Sequence, residues 1–179
     1  NMITSLKTLR EHKIPCLGIC LGMQLMAIEY ARNVLHISEA NSLEFDKNCK
    51  PYDIITLLDS QKNIVNLGGT MRLGKQSSLL EKSQTRDIYD DCGRLGKNHS
   101  VQEKFRHRYE LNPEFAYKFD NTDFRIAGKS QKEGIVQFLE LNSEVHPFYI
   151  GTQSHPELSS SLEDPAPLFV GLLKACIQK

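Results

Sequence analysis

Three side chains of this sequence are of the types that break acyl bonds together. Cys20 lies in Gly18-Ile19-Cys20-Leu21-Gly22, between two glycines. His155 and Glu157 lie far downstream, in Ser154-His155-Pro156-Glu157. A thiolate is a nucleophile, an imidazole can take and return its proton, and a carboxylate can hold the imidazole in one tautomer. Pro156 fixes its own φ and biases His155 toward an extended backbone. Residues i and i+2 of an extended run point the same way, so Glu157 is expected to reach one imidazole nitrogen and leave the other for Cys20. The bland alternatives are a small buried thiol and a solvated loop pair. On these residues alone both readings stay open.

The elements that must position these groups are legible around them. Ile14 to Ile19 is a short apolar run and reads as a strand. Beyond Cys20, Met23, Met26, Ala27 and Tyr30 recur at helical spacing. A Gly-x-nucleophile-x-Gly turn from strand to helix lifts a reactive side chain to the top of an α/β sheet. The turn is sharp, so a Cβ at Gly18 or Gly22 is expected to collide with backbone. The helix N-terminus should favour thiolate at Cys20. The Leu21 N–H is placed to hold an oxyanion. Cys16, inside the strand, reads as an inert thiol. In a parallel sheet, the elbow and the His155 loop both fall at the carboxyl edge, where α/β sites form.

Composition bounds the rest. A chain of 179 residues suits one sizeable core, so residues 1–179 are expected to form one domain. Lys plus Arg is 22 and Asp plus Glu is 22, with no long basic run, which argues against a nucleic-acid face. Five cysteines in no tight pattern suggest a reducing, cytoplasmic setting rather than a disulfide framework. No apolar run reaches bilayer length. A zinc site of the deaminase type needs Pro-Cys-x-x-Cys downstream of His-x-Glu. Here the Pro15-Cys16 pair lies upstream and the next cysteine is four residues on, so no metal is expected. His99, His107 and His146 have no partner at ligand spacing and read as structural or exposed.

In chain order, Met2, Ile3, Leu6 and Leu9 share one face of an opening helix that ends near Lys13. The elbow helix should run to about Asn33. Ala40 to Lys50 reads as a polar loop holding Glu44, and Asp53 to Leu58 as a strand. A turn at Asn66-Leu67-Gly68-Gly69-Thr70 precedes a strand from Met71 to Gly74. The polar stretch from Lys75 to Ser100 holds a short helix near Asp87 to Tyr89. Val101 to Leu111 alternates as a strand, with Val101, Phe105, His107, Tyr109 and Leu111 on one face. Asn112-Pro113 starts a helix. Strands are expected at Phe124 to Ala127, Ile135 to Leu141 and Pro147 to Gln153. Asp164-Pro165 opens a closing helix that turns Leu168, Leu172, Leu173, Cys176 and Ile177 to the core. The expected fold is a three-layer α/β one: a largely parallel central sheet flanked by helices, of flavodoxin-like type.

Cys20 in Gly-Ile-Cys-Leu-Gly-Met-Gln with a late His155-Pro156-Glu157 resembles the triad-type, class I glutamine amidotransferases. More narrowly, the chain is similar to the glutaminase domain of the CTP synthase family. That rests on Gly18 to Gln24, Ala31 to Leu35, Leu67-Gly68-Gly69-Thr70-Met71-Arg72-Leu73-Gly74, Arg106-His107-Arg108-Tyr109-Glu110 with Asn112-Pro113, and Gln153 to Glu157. The resemblance implies that Cys20 attacks the side-chain amide of L-glutamine, with His155 as base and Glu157 as its orienter. It implies glutamine contacts from Leu21, Gly22, Met23 and Gln24, from Glu44 to the α-amino group, and from Arg108 to the α-carboxylate. A guanidinium suits that carboxylate because it grips with two charge-assisted bonds.

The resemblance also implies a partner. An amidoligase domain of the same polypeptide would use ATP and Mg to activate UTP and receive the ammonia. It is absent from this segment, which has no Gly-x-x-x-x-Gly-Lys-Ser/Thr loop and is expected to need no cofactor. GTP as an activator and a homotetrameric whole protein are further implications. The family's oxyanion Pro-Gly-Gly loop falls upstream of Asn1, so the domain is expected to be N-terminally incomplete here. Ser154 stands where the family usually has an aromatic residue. Two other classes fit the triad residues: a different cysteine hydrolase such as a γ-glutamyl peptidase, and a non-catalytic glutamine binder.

Overall fold

Alternating side chains on neighbouring strands feed two separate cores. Ile126, Leu139, Leu141 and Tyr149 point to one side, and Ala127, Phe138 and Ile150 to the other. The computed structural model describes residues 1–57 and 72–177. The turn expected at Asn66 to Thr70 lies outside them.

The elements run α1 (Met2–Glu11), β1 (Cys16–Ile19), α2 (Leu21–Asn33), β2 (Asn41–Ser42), β3 (Asp53–Leu57), β4 (Arg72–Leu80) and α3 (Gln84–Asp91). They continue with β5 (Ser100–His107), β6 (Tyr109–Leu111), α4 (Pro113–Ala116), β7 (Phe124–Ser130), β8 (Val136–Leu141), β9 (Tyr149–Thr152) and α5 (Pro167–Ile177). Helices α1 and α2 cover the first core, and α3 and α5 the second. The three-layer α/β class is as expected.

The central sheet has the order β1-β9-β8-β7-β4-β5. It is mixed, where the sequence reading expects it to be largely parallel. Among its described strands β1 and β9 run parallel, and the other four pairings are antiparallel. Parallel neighbours need a crossover of a dozen or more residues. The short links between β7 and β8 and between β8 and β9 return the chain antiparallel. A second, three-stranded sheet has the order β2-β3-β6.

Two buried carboxylates tie helices to this frame. Glu29 on α2 is fully buried and takes a two-pronged hydrogen bond from Arg10 on α1. Glu140 on β8, also fully buried, accepts from the backbone N–H groups of Gln84 and Thr85 at the start of α3. Those are helix N–H groups with no partner inside the helix, so the carboxylate anchors α3 to the sheet.

Three further expectations differ from the structure. Leu173 and Ile177 are 62% and 80% exposed, and Cys176 is exposed as well. Helix α5 begins later than expected, at Pro167, and packs through Leu168, Gly171, Leu172 and Ala175. The run expected as one strand from Val101 to Leu111 bends at Arg108. Its first part pairs with β4, and its second leaves to pair with β3 in the other sheet.

Candidate active site

Cys20 is the residue between β1 and α2, and its backbone is strained, with φ 51° and ψ −103°. A positive φ is costly for a residue with a Cβ and is found where a turn must aim a side chain. The strand holds it there: the Cys20 N–H donates to the Thr152 carbonyl at 2.7 Å. Gly18 makes the sharp turn fit. A Cβ there would sit 2.8 Å from the Gly22 carbonyl carbon and 2.9 Å from the Met23 nitrogen. Gly22 does not share that constraint, because a Cβ on it meets nothing within 4 Å. The collision expected at Gly22 is therefore absent: a Cβ there would point into open space.

His155 arrives from the neighbouring strand. Ile19 is paired with Thr152, and His155 follows just beyond β9. The sheet curls so that Ser154 bridges Phe105 on β5, and the His155 N–H donates to the Lys104 carbonyl at 2.8 Å. The imidazole Nδ1 lies 2.6 Å from Glu157 Oε1. Pro156 opens a 3₁₀ turn, Pro156–Leu158, so the reach of Glu157 comes from a turn and not from the extended run the spacing suggested. His155 Nε2 is buried and has no hydrogen-bond partner among the described residues. Cys20 Sγ lies 3.4 Å from the Gln153 amide nitrogen and 3.9 Å from the Arg106 carbonyl oxygen.

Cys20 opens on a cavity of about 200 Å³. Leu21, Gln24, Glu44 and Arg108 line it, as do Arg106, His107 and Tyr109. Gly22 and Met23 are not brought to it. Met23 is fully buried and packs against Gly151, because its helical position turns it to the sheet. The bend at Arg108 explains why residues from a strand line a cavity at all. A larger cavity, of about 700 Å³ beside Arg72 and Glu133, contains none of these side chains.

Burial pushes the Cys20 thiol up from its ordinary range. Hydrogen bonds from the Leu21 N–H and the Gln153 amide act the other way, while Glu157 and Glu44 add to the rise. The helix N-terminus thus does not by itself yield a thiolate, as the sequence reading expected; a base is required. His107 is buried, and desolvation together with Arg72 and His155 lowers its pKa to about 3, so it stays neutral. Its role in the cavity wall was invisible in the sequence, where only its place on the alternating face could be read.

A cysteine at the end of β1 and a hydrogen-bonded histidine–carboxylate pair just beyond the adjacent β9 are the groups that cysteine acyl hydrolases use. The glutamine amidotransferase class-I family model matches residues 1–175, and the chain belongs to that family.

Within the family the similarity is to CTP synthases. The chain is 44% identical over 180 residues to the CTP synthase of Coprothermobacter proteolyticus, covering 100% of this chain and 32% of that protein. It is 46% identical over 172 residues to that of Sulfolobus acidocaldarius, covering 96% of this chain and 30% of the relative. The chain thus spans about a third of the length of the curated relatives it matches. Its fold matches the glutaminase domain of Trypanosoma brucei CTPS with bound acivicin, at a TM-score of 0.85 and 30% identity, over 99% of this chain and 66% of that one. Among the described residues, no helix is long and apolar enough to cross a membrane.

Proposed function

We propose that this chain is the glutaminase part of a CTP synthase, hydrolysing L-glutamine through Cys20, His155 and Glu157. The observation that carries this reading is the placement of Cys20 and the hydrogen-bonded His155–Glu157 pair at the ends of β1 and β9, which run side by side. Glu157 holds the imidazole with Nδ1 toward it, which leaves Nε2 for the reaction. His155 takes the Cys20 proton as the sulfur attacks the side-chain amide carbon. The Leu21 N–H holds the oxygen of the tetrahedral intermediate. His155 returns its proton to the leaving nitrogen, so ammonia departs and a glutamyl thioester remains. Water, giving its proton to His155, then attacks the thioester. Glutamate leaves and the thiol is restored.

Glu44 and Arg108 line the same cavity, where their opposite charges suit the α-ammonium and α-carboxylate of glutamine. The ammonia is consumed by an amidoligase domain of the same polypeptide that aminates UTP using ATP and Mg; this segment itself needs no cofactor. GTP activation, a homotetramer and a cytoplasmic setting complete the proposal.

Acivicin, the ligand of the trypanosomal domain, is the direct probe. Peptide mass spectrometry should find one adduct, on Cys20, and glutamine should protect against it. An adduct on the exposed Cys176 instead, or none, would refute the assignment. Preferential turnover of γ-glutamyl peptides would favour a peptidase. Arg108→Ala should raise KM for glutamine roughly tenfold or more and lower kcat by less, because the α-carboxylate is remote from the reacting bond. Initial-rate ammonia assays separate the two constants, and an unchanged KM would remove Arg108 from the substrate site.

A further inference from the structure

A line of four residues fixes what the sulfur faces. The Tyr109 backbone carbonyl can only accept a hydrogen bond. Gln24 therefore presents its amide nitrogen to it, at 2.8 Å. The same nitrogen lies 3.0 Å from Gln153 Oε1, and its two hydrogens serve both acceptors at once. Gln153 must then turn its carbonyl to Gln24 and its own amide nitrogen to Cys20 Sγ, at 3.4 Å. Reversing Gln24 would set oxygen against oxygen. Reversing Gln153 would set N–H against N–H. Both side chains are buried, at 3% and 0% exposure, so bulk water cannot relieve either error.

We propose that Gln153 is a further catalytic residue, a fixed amide donor to the Cys20 thiolate, and that Gln24 is the positioning residue that locks it. The proposal rests on Cys20 as the nucleophile. When the S–H bond breaks and the proton passes to His155, the negative charge forms against an N–H group already in place. No reorientation is needed at that moment, which is the condition for electrostatic catalysis. Gln24 then has only its carbonyl oxygen left for substrate.

The pH profile of Cys20 alkylation by iodoacetamide, read peptide by peptide, tests this without turnover. Exposed Cys176 in the same digest is the reference. Among the described residues, the titratable and charged groups around the sulfur are Glu44, Arg106, His107, Arg108, Tyr109, His155 and Glu157, and none is changed in the variants. Gln153→Leu should move the Cys20 midpoint up by about one pH unit, a roughly tenfold slower reaction at pH 7, with Cys176 unmoved. Gln153→Met keeps a similar length, adds no charge and cannot donate, so it should shift about as far; it serves if the leucine variant fails to fold by circular dichroism. Gln24→Leu should shift the midpoint the same way by less. In turnover, Gln153→Leu should lower kcat and leave KM within about twofold.

An unmoved profile in a folded Gln153 variant overturns the proposal. A Gln24→Leu variant that raises KM with the profile unmoved overturns the locking role. A shifted profile in a protein whose Cys20 acivicin fails to label upholds the amide line and ends the glutaminase reading instead.

Discussion

Cys20→Ala and His155→Ala should each lower kcat for glutamine hydrolysis by about 10⁴-fold or more, and the double variant should be no slower than the worse single. The reason lies in the resting state of the thiol. Burial and two nearby carboxylates hold its proton on, so without a base little thiolate forms. Without the sulfur, the imidazole has no proton to take that leads to a thioester. The two groups therefore form one device, and removing either removes all of it. A coupled ammonia assay on the two single variants and the double decides the matter. Losses that multiply would mean that the groups act independently. A His155→Ala variant with most of its activity would place the base elsewhere.

Gly18→Ala should destabilise the protein by about 3 kcal/mol or more, lowering Tm by roughly 6–12 °C. The methyl group would lie 2.6 Å from Met26 Sδ, which can yield, and under 3.0 Å from backbone atoms of Gly22 and Met23, which cannot without moving α2. Helix α2 begins directly after the nucleophile, so glutamine turnover should fall further than the loss of folded protein accounts for. Gly22→Ala is the control. Its Cβ meets open space, and alanine improves the first turn of a helix, so unfolding should shift by no more than about 1 kcal/mol in the stabilising direction. Equal melting temperatures for the two variants would mean that β1 and α2 are not pressed together at Gly18.

The elements with strong local patterns were legible in advance. The α2 stripe, the Asn112-Pro113 helix start and the α/β class all follow from spacing and turn chemistry, and the structure has α4 at Pro113–Ala116. Sheet direction was not legible, because it depends on which strands meet across long stretches of chain. The bend at Arg108 was missed because Val101 to Leu111 keeps its apolar alternation through the break. Leu173 and Ile177 were misplaced because an apolar face on a final helix says nothing about how far the partner surface extends. In the site, residue types pointed to Cys20, His155 and Glu157. Gln153 went unremarked as a chemical group, since no local pattern marks a glutamine whose meaning comes from Gln24 and Tyr109.

The β1–β9 pairing works as a ruler. Gly18 stands opposite Gly151 and Ile19 opposite Thr152. The gap between the sulfur-bearing and the ring-bearing segments is therefore set by the spacing of two strands, not by the polymer between them. Lengthening or trimming the hairpin tip at Gly134 or the turn near Gly93 should leave that gap as it is. Such outlying tips are where tags, reporters or new recognition loops can be grafted, while a one-residue slip in this parallel ladder would misalign the two segments.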